Sequence, residues 1–475
     1  MRRTKIVTTL GPASTSPEVL RELIDAGANV VRLNFSHGAT EIHRQTAANV
    51  RKIAAELDQI VGILADLQGP KIRVSRFKQG KVILQEGAEF VLDADLAKDV
   101  GDEHTVGIDY KELPQDVRAQ DVLLLDDGRL VLKVKKVQGA KIFCCVEVGG
   151  ELSNNKGINR QGGGLSAPAL TDKDKEDIKI AAAIQADYVA VSFPRAAADL
   201  EEARRLIVQA GGKAGVIAKI ERLEAVIPAT LDEIINASDG IMVARGDLAV
   251  EIGDAEVPAA QKYMIKRARD LDKPVITATQ MMETMIHNVV PTRAEVSDVA
   301  NAVLDGSDAV MLSAETASGE HPALVVKTMD RICLAAEKNP ETLAATYRLK
   351  SRFERVDRAI AMATMYTANH INIKAIIALT ESGVNPLWMS RIRSGIPIYG
   401  LSRHPNVLGK MALYCDVYPV NFDVTKYAAA EMKAAAIDTL KQKGFVASGD
   451  LVIVTCGDHV GMHGGTNSLT ILTVP

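Results

Sequence analysis

Two carboxylates, Glu221 and Asp247, directly follow apolar runs rich in β-branched residues, in the segments VIAKIER and IMVARGDL. If the two runs are neighbouring parallel strands, their ends lie about 4.8 Å apart. Both carboxylates could then hold one hard cation. Mg²⁺ is typically held by one or two carboxylates together with substrate oxygens and water. The spacing therefore predicts a Mg²⁺ site at Glu221 and Asp247, in which Mn²⁺ could replace Mg²⁺.

Fixed positive charges are predicted to surround this site. Lys219 lies in the same run as Glu221, and Arg32 and Arg73 lie at or after the ends of two other runs. A divalent cation with lysine and arginine around it is typical of phosphoryl-transfer sites, where negative charge spreads over the oxygens of the transferring group. The chain has neither a GxxxxGK[ST] loop nor the protein-kinase motifs, so those two kinase classes are excluded.

Each of these motifs also has an ordinary structural interpretation. A Lys-x-Glu pair is most often an ion pair at the rim of a sheet, and an isolated RGD is usually a turn. The segment NFSHG could be a helix start capped by Ser36, and His37 alone would more often be structural. The functional interpretation rests on the common position of these motifs, because polar residues end all of the successive apolar runs. Those residues are Thr8 and Thr9, Arg32, Asn34, Ser36 and His37, Asp66, Ser192, Lys219 and Glu221, Arg245 and Asp247, Thr277, Thr279 and Gln280, and Ser313 and Glu315.

The apolar runs alternate with segments of helical periodicity. The predicted strands are 5–9, 29–33, 61–66, 188–192, 216–220, 240–244, 274–278 and 308–312. The predicted helices are 18–26, 41–57, 173–184, 200–209, 223–236, 257–272, 293–304 and 323–336. Eight such units with nearly continuous apolar strands favour an α/β fold, the (β/α)8 TIM barrel, with its chemistry at the C-terminal ends of the strands. An open doubly wound sheet is the alternative.

Two further segments differ from this pattern. Residues 70–168 contain short predicted strands and a hairpin signal at Asp126, Asp127 and Gly128. They predict a small inserted β-barrel lid domain above the active face, which divides the barrel into 1–69 and 169–342. Residues 343–475 predict a C-terminal α/β regulatory domain, with strands at 374–380, 397–401, 416–419, 451–456 and 469–474 and helices at 359–370 and 427–443.

The composition narrows the class of protein. Charged residues make up 24% and hydrophobic residues 47% of the chain, and the net charge is -4. These values fit a globular protein and argue against nucleic acid as the main partner. No apolar run reaches the roughly 18 residues of a membrane span. The five scattered cysteines form neither a zinc nor a disulfide pattern, so a cytoplasmic protein with reduced thiols is expected.

The chain resembles the pyruvate kinase family over nearly its whole length. The segments that carry the resemblance occur in the family's order and spacing: KIVTTLGPAS, ANVVRLNFSHG, DLQGPKIR, NNKGIN, VIAKIERLEAV, IMVARGDLAVEI, VITATQMMETMI and PTRAEVSDVANAVLDGSDAVMLSAETASGEHP. The resemblance is greatest to the bacterial form. It implies glycolytic phosphoryl transfer from phosphoenolpyruvate to ADP, which gives pyruvate and ATP.

The resemblance also implies roles for individual residues. It places Lys219 on the transferring phosphoryl group and Arg32 on the substrate phosphate. It places Gly246, Asp247 and Thr279 around the enolpyruvate part of the substrate. Thr279 is also on the proton path to the enolate, although the proton donor itself is not identified. The residues implied to lie near the nucleotide are Asn34, Ser36, His37, Arg73 and Lys156.

The segment DLQGPKIR departs from the K⁺-requiring members of the family. Those members have Thr-Lys after the aspartate and a glutamate where this chain has Lys71. Asn34, Ser36 and Asp66 match the family's K⁺ ligands. An ammonium tethered at Lys71 could replace the bound K⁺, so K⁺ is expected not to be required. The alternative is that Lys71 forms an ion pair with Asp66.

The C-terminal segment LTESGVNP is similar to the family's effector loop, where Thr380, Ser382 and Gly383 could hold a phosphate. Family members that bind fructose 1,6-bisphosphate have more hydroxyl groups in this loop, and Glu381 would repel anions. A sugar monophosphate or AMP is therefore favoured as the activator over the bisphosphate, with an ordinary strand–helix turn as the alternative. The resemblance also implies a homotetramer.

Two other functions remain open at this point. The first is a Mg²⁺-dependent lyase or aldolase that acts on pyruvate enolate, on the same type of barrel. The second is an inactive protein that only binds sugar phosphates, against which the intact Lys219, Glu221 and Asp247 argue.

Overall fold

Eight parallel strands close into a barrel in the computed structural model, which describes residues 1–343, 352–458 and 464–475. Apolar residues fill both faces of these strands, because helices cover the barrel from outside and side chains fill its interior. The first elements are β1 (Lys5–Leu10), α1 (Pro17–Asp25), β2 (Val30–Asn34), α2 (Thr40–Glu56) and β3 (Gly62–Asp66).

A β-rich insert follows β3. Its elements are β4 (Lys81–Leu84), β5 (Glu89–Asp93), β6 (Thr105–Gly107), α3 (Leu113–Asp116), β7 (Val122–Leu125), β8 (Leu130–Gln138), β9 (Lys141–Val148), β10 (Gly150–Ser153) and β11 (Ile158–Arg160). The strands form one six-stranded sheet in the order β11-β7-β8-β9-β5-β6 and a two-stranded sheet of β10 and β4. The predicted small barrel is thus built as two sheets around one shared core. The hairpin predicted at Asp126, Asp127 and Gly128 is confirmed, since all three residues have positive φ between β7 and β8.

The barrel resumes after the insert. Its elements are α4 (Asp172–Ala183), β12 (Tyr188–Val191), α5 (Ala197–Gln209), β13 (Gly215–Ile220), α6 (Leu223–Val226), α7 (Pro228–Ala237), β14 (Gly240–Ala244), α8 (Arg245–Ile252), α9 (Val257–Asp270), β15 (Val275–Ala278), α10 (Arg293–Asp305), β16 (Ala309–Leu312), α11 (Ala314–Ala317) and α12 (Pro322–Ala336). Hydrogen-bonded neighbours run β1-β16-β15-β14-β13-β12-β3-β2, and β2 pairs with β1 to close the ring. All eight predicted barrel strands are confirmed.

Two helical predictions need correction. The single helix predicted over 223–236 is two helices, because Ile227 is extended and Pro228 starts a new first turn. Proline is tolerated there since its missing N–H would have no partner within the helix. The helix α8 directly after β14 was not predicted, and it begins within the RGD segment that was considered as a turn.

The C-terminal region is an α/β unit with a five-stranded sheet. Its elements are α13 (Val356–His370), β17 (Ala375–Leu379), α14 (Val384–Arg391), β18 (Ile398–Ser402), α15 (Pro405–Met411), β19 (Val417–Asn421), α16 (Met432–Gln442), β20 (Leu451–Gly457) and β21 (Thr466–Thr473). The strand order is β19-β18-β17-β20-β21, with β21 antiparallel at the edge. The five predicted strands are confirmed, whereas the helix predicted from 427 begins only at Met432. None of the helices in the described ranges is long and apolar enough to cross a membrane.

The chain leaves the barrel for the insert at Gly69 and Pro70. Gly69 has a φ of +67°, and a Cβ atom at this position would lie 2.6 Å from Cβ of Ser192. Its amide donates a hydrogen bond to Oδ1 of Asp174 at 3.1 Å. A side chain at position 69 would therefore be strained in conformation and would collide with Ser192, directly after the end of β12.

A buried ion pair joins the C-terminal unit to the barrel. Arg391 donates to both carboxylate oxygens of Asp308, with Nη1 and Oδ2 2.9 Å apart. Both side chains are almost fully buried. Nη1 of Arg391 also donates to the carbonyl of Lys273 at 3.1 Å, and Arg393 donates to the carbonyl of Gly306 at 2.9 Å.

Arg391→Met is expected to destabilise the contact between the two units by about 3–5 kcal/mol, because Asp308 would keep a buried charge without its cation. The measurement is the urea midpoint of unfolding, compared with wild type. The double variant Arg391→Met/Asp308→Asn should recover part of the loss, since no uncompensated charge remains. A single variant as stable as wild type would contradict the prediction.

A buried aspartate at the same boundary predicts a pH effect of known sign. Burial raises the pKa of Asp416 from 3.8 to about 6, although the nearby Arg3 and Arg393 lower it. The folded state therefore binds this proton more tightly than the unfolded state. The protonated carboxyl of Asp416 therefore adds to the free energy of unfolding. This contribution is complete below about pH 4 and is lost as the pH rises through about 6.

Asp416→Asn is consequently expected to be more stable than wild type at pH 8, by up to about 3 kcal/mol, and the difference should shrink at pH 5. The positive φ of 64° at this position also suits asparagine. Thermal unfolding at the two pH values measures the effect, with the exposed Asp438→Asn as the control. An equal change at both pH values would rule out this explanation.

Candidate active site

The predicted site residues of the barrel meet at the C-terminal ends of its strands. Lys219 lies near the end of β13 and Glu221 directly follows that strand. Asp247 lies in the first turn of α8, directly after the neighbouring strand β14. Arg32 lies in β2 and Asp66 ends β3, on the adjoining side of the ring.

Four of these side chains form a nearly buried network of alternating charge. Nζ of Lys219 lies 3.0 Å from Oε1 of Glu221 and 3.4 Å from Oδ1 of Asp66. Nε of Arg32 donates to Oδ2 of Asp66 at 2.6 Å. Nζ of Lys219 also donates to Oγ of Ser192 at 2.7 Å. The two cations are therefore fixed in position before any ligand binds, as preorganised charge stabilisation requires.

The network shifts the pKa of its members. Burial raises the pKa of Glu221 to about 7; the neighbouring Lys219 opposes this shift, and the charge of Asp247 adds to it. Burial acts to lower the pKa of Lys219, but Asp66 and Glu221 outweigh it and the pKa rises. Burial acts to raise the pKa of Asp66, but Lys219 and Arg32 outweigh it and the pKa falls. Lys219 and Asp66 are thus charged at neutral pH.

Glu221 and Asp247 have the chemistry of a partial divalent-cation site. Asp247 is close enough for its charge to raise the pKa of Glu221, and a cation between the two would relieve that repulsion. Across the described ranges, no group of three or more His, Cys, Asp or Glu side chains forms a metal site. Two protein carboxylates with substrate oxygens and water completing the shell is the arrangement that Mg²⁺ commonly adopts.

Lys71 lies in this site, but its partner differs from the one considered from the sequence. Its Nζ is 3.0 Å from Oδ1 of Asp247 and 3.7 Å from Oδ1 of Asp127 in the hairpin of the insert. The alternative ion pair with Asp66 is therefore wrong, since Asp66 pairs with Arg32 and Lys219. Burial acts to lower the pKa of Lys71, but Asp247 and Asp127 outweigh it and the pKa rises.

Thr279 and Gly246 are adjacent at the ends of β15 and β14. Thr279 has a φ of +67°, which is strained for a β-branched residue. Its Oγ1 accepts a hydrogen bond from the amide of Gly246 at 2.9 Å. Arg245 donates to the carbonyl of Thr279 at 2.5 Å, and Asp298 binds the same guanidinium at 2.6 and 2.8 Å.

Arg245 and Asp298 were given no role from the sequence. Arg245 was among the polar residues predicted to end the apolar runs, so its position near the site was expected, but its contact with Thr279 was not. Asp298 is a charged residue on α10, 53 residues away from Arg245. Nothing local in the sequence identifies that pairing.

The residues implied to lie near the nucleotide fall into two groups. Arg73 and Lys156 lie on the insert, where Arg73 donates to the carbonyl of Asn155 at 2.8 Å and Lys156 pairs with Asp126 at 2.7 Å. The other group, Asn34, Ser36 and His37, is at or just after the end of β2. The amide of Ser36 donates to Oδ1 of Asn34 at 3.1 Å. No hydrogen bond or ion pair joins the two groups within the part of the chain that the structure describes.

The predicted effector loop lies between β17 and α14. Oγ1 of Thr380 accepts from the amide of Gly383 at 2.9 Å, and Gly383 takes a φ of +77°. Glu381 pairs with His404 at 2.5 Å and with Arg403 at 3.5 Å. The loop and Asn385 line one cavity. The carboxylate expected to repel anions therefore has two basic neighbours.

Comparisons with known proteins match this chain along most of its length. Residues 1–326 match the family model described as pyruvate kinase, barrel domain, and residues 358–472 match pyruvate kinase, alpha/beta domain. Pyruvate kinase II of Salmonella typhimurium is 59% identical over 478 residues, covering 100% of this chain and 99% of the relative. The pyruvate kinase of Haemophilus influenzae is 55% identical over 96% of both chains. The pyruvate kinase of Staphylococcus aureus is 40% identical over 99% of this chain and 80% of its own length.

Proposed function

This chain belongs to the pyruvate kinase family and is a phosphotransferase, and we propose that it transfers the phosphoryl group of phosphoenolpyruvate to ADP. The observation that carries the proposal is the network of Lys219, Arg32, Glu221 and Asp66 at the C-terminal ends of the strands. Two fixed cations there can neutralise an anionic substrate while a second anion approaches. A lyase on the same barrel is not favoured, because the family match extends over both the barrel and the C-terminal unit.

Arg32 and Lys219 are proposed to act on the phosphoryl group. Arg32 would bind the phosphate of phosphoenolpyruvate, and Lys219 would stabilise the charge that develops on the oxygens of the transferring group. A β-phosphate oxygen of ADP forms the new P–O bond, and the bond from phosphorus to the enol oxygen breaks. The resulting enolate takes one proton at its terminal carbon and becomes pyruvate.

Glu221 and Asp247 are the proposed Mg²⁺ ligands, and the bound ion would supply positive charge to the substrate oxygens. Asp247 lies at the start of α8, where the backbone amides of the first turn are not bonded within the helix. Gly246 leaves this helix start open, since a methyl group there would meet only Thr279, at 3.7 Å or more. The amide of Gly246 already donates to Oγ1 of Thr279, so the amide of Asp247 is the one proposed to donate to the carboxylate of the substrate.

Thr279 is proposed to lie on the proton path to the enolate. Its hydroxyl is already oriented, since it donates to the carbonyl of Ala278 at 2.7 Å and accepts from the amide of Gly246. Arg245 donates a hydrogen bond to the carbonyl of Thr279, and Asp298 holds the guanidinium of Arg245 in place. The strained backbone of Thr279 is therefore held in place by contacts from two neighbouring elements.

The insert is proposed to act as a lid over the nucleotide. Arg73 and Lys156 would meet the phosphates of ADP from the lid, with Asn34, Ser36 and His37 on the barrel side. Lys71 already joins the lid hairpin to α8, through Asp127 and Asp247. Exclusion of water matters because water competes with ADP for the phosphoryl group.

A coupled assay tests the proposed reaction directly. The purified chain is supplied with phosphoenolpyruvate, ADP and Mg²⁺, and both pyruvate and ATP are measured. Equal amounts of the two products are expected, and omission of Mg²⁺ should remove the activity. Formation of pyruvate without ATP would favour hydrolysis or a lyase, and no reaction would favour the inactive sugar-phosphate binder.

The loop of Thr380, Ser382 and Gly383 is proposed as an activator site for a sugar monophosphate or AMP, in a homotetramer. Its support is the cavity that Thr380 and Ser382 line, beside the turn in which the amide of Gly383 donates to Oγ1 of Thr380. Activation should raise the affinity for phosphoenolpyruvate, and Thr380→Val/Ser382→Ala should abolish it without lowering the basal kcat. Fructose 1,6-bisphosphate as the stronger activator would contradict the preference for a monophosphate.

A further inference from the structure

A second cavity lies between the barrel and the C-terminal unit, away from both the active site and the effector loop. Its volume is about 770 Å³. Metabolite sites usually have volumes of roughly 300–1,000 Å³. Its walls are α2, the C-terminal end of α4 with the turn after it, the turn before β13, and the start of α15. We call this cavity the interdomain cleft.

Two cations that line the interdomain cleft have no partner among the residues that the structure describes. Arg44 lies on α2, and Lys213 lies on the turn before β13. Both side chains are exposed, and neither makes a hydrogen bond or ion pair with any residue in the described ranges. A third cation, Arg51, is different, since it donates to Oδ2 of Asp187 at 2.9 Å and to the carbonyl of Gln185 at 3.0 Å.

The charge of the cleft is therefore positive on balance. Among the described residues that line the cleft, Asp187 is the only carboxylate, and Arg51 neutralises it. Arg44 and Lys213 remain as two uncompensated charges. Much of the remaining wall is formed by small apolar side chains, because five of the fifteen lining residues are alanines: Ala47, Ala48, Ala182, Ala183 and Ala186.

We propose that the interdomain cleft binds a metabolite-sized organic monophosphate. Its phosphate would bind the lining cations that have no partner among the described residues, Arg44 and Lys213, because a phosphate group carries close to two negative charges at neutral pH and these side chains are positive. The organic part would lie against the alanine wall, where small side chains leave room for it. This site is separate from the proposed activator loop and does not depend on it.

The position of the cleft links its occupancy to the effector loop. Pro405 and Asn406 line the cleft, and the two residues before them, Arg403 and His404, bind Glu381 of the loop. A ligand that holds this turn against the barrel therefore also acts on the loop. Coupling between two sites is reciprocal, so a ligand in the loop should change affinity at the cleft by the same factor.

Calorimetry on the full chain tests the proposal. The background is the loop variant Thr380→Val/Ser382→Ala, so that binding at the loop does not contribute. The probes are ribose 5-phosphate, glucose 6-phosphate and AMP, each paired with ribose, glucose or adenosine. At least one phosphorylated probe should bind, and its dephosphorylated partner should not.

Arg44→Ala/Lys213→Ala in the same background should weaken binding of that probe by at least about tenfold, as expected when two charge-assisted hydrogen bonds are lost. Lys52→Ala is the matched control, since it removes an exposed charge from α2 outside the cleft. The double variant should keep the basal activity and the melting temperature of its parent. Absence of binding by all three phosphorylated probes, or binding that the double variant leaves unchanged, would overturn the proposal.

Discussion

Lys219→Met is expected to lower kcat by about a thousandfold or more, while the protein stays folded and binds Mn²⁺. Within the described ranges, Lys219 is the one cation that forms ion pairs with both Glu221 and Asp66, at 3.0 and 3.4 Å. Its ammonium is buried and held by Ser192, so solvent cannot replace it. Removing it takes away charge stabilisation that is greatest when the phosphoryl group is in transfer.

The same substitution also leaves two buried carboxylates with less positive charge around them. We therefore expect a lower melting temperature, which has to be separated from the loss of chemistry. Lys273→Met is a suitable comparison, since Lys273 is a largely buried lysine that binds the carbonyl of Ser238 at the opposite end of the barrel. A comparable fall in kcat for both variants would mean that Lys219 acts through stability alone.

Lys71→Glu is expected to make the activity dependent on K⁺. Without K⁺, kcat/KM for phosphoenolpyruvate should fall by about a hundredfold, and added K⁺ should restore most of it. The change replaces a positive by a negative charge 3.0 Å from Asp247, beside the proposed metal and substrate. Wild type, which has the tethered ammonium, should be active in buffers that contain only large organic cations.

Two comparisons make this test specific. Lys78→Glu makes the same charge change on the exposed surface of the insert, and it should leave the K⁺ response unaltered. Lys71→Gln removes the ammonium without adding a negative charge, so its loss should be smaller than that of Lys71→Glu. A strict K⁺ requirement of the wild-type enzyme would show that Lys71 does not replace the ion.

The barrel and its active face could be predicted because the information is local. Each strand is a short apolar run that ends in polar residues, and parallel strands in a barrel all end on one face. Glu221 and Asp247 follow directly from this rule. The hairpin at Asp127 was predictable for a similar reason, since Asp-Asp-Gly favours positive φ within three residues.

Other features depended on partners that are distant in the sequence. Lys71 lies 176 residues from Asp247, and only the closed barrel with its insert brings them together. The position of Asp298 at the site likewise depends on its ion pair with Arg245, which lies 53 residues away in the sequence. The sheets of the insert depend on the pairing of β10 with β4. Short runs of alternating polarity do not specify which strands pair.

The insert has a further consequence for the assembly of the barrel. The strands β3 and β12 are neighbours, yet the paired residues Leu64 and Tyr188 are 188 − 64 = 124 positions apart. An ordinary strand–helix–strand unit spans about 30 residues. The fourfold longer connection costs only about 1.2 kcal/mol of additional loop-closure entropy, since each doubling adds about 0.6 kcal/mol. If the insert folds around its own core first, the flexible part of the connection between β3 and β12 is shorter than 124 residues. The connection can therefore contain a whole domain at little cost in chain entropy.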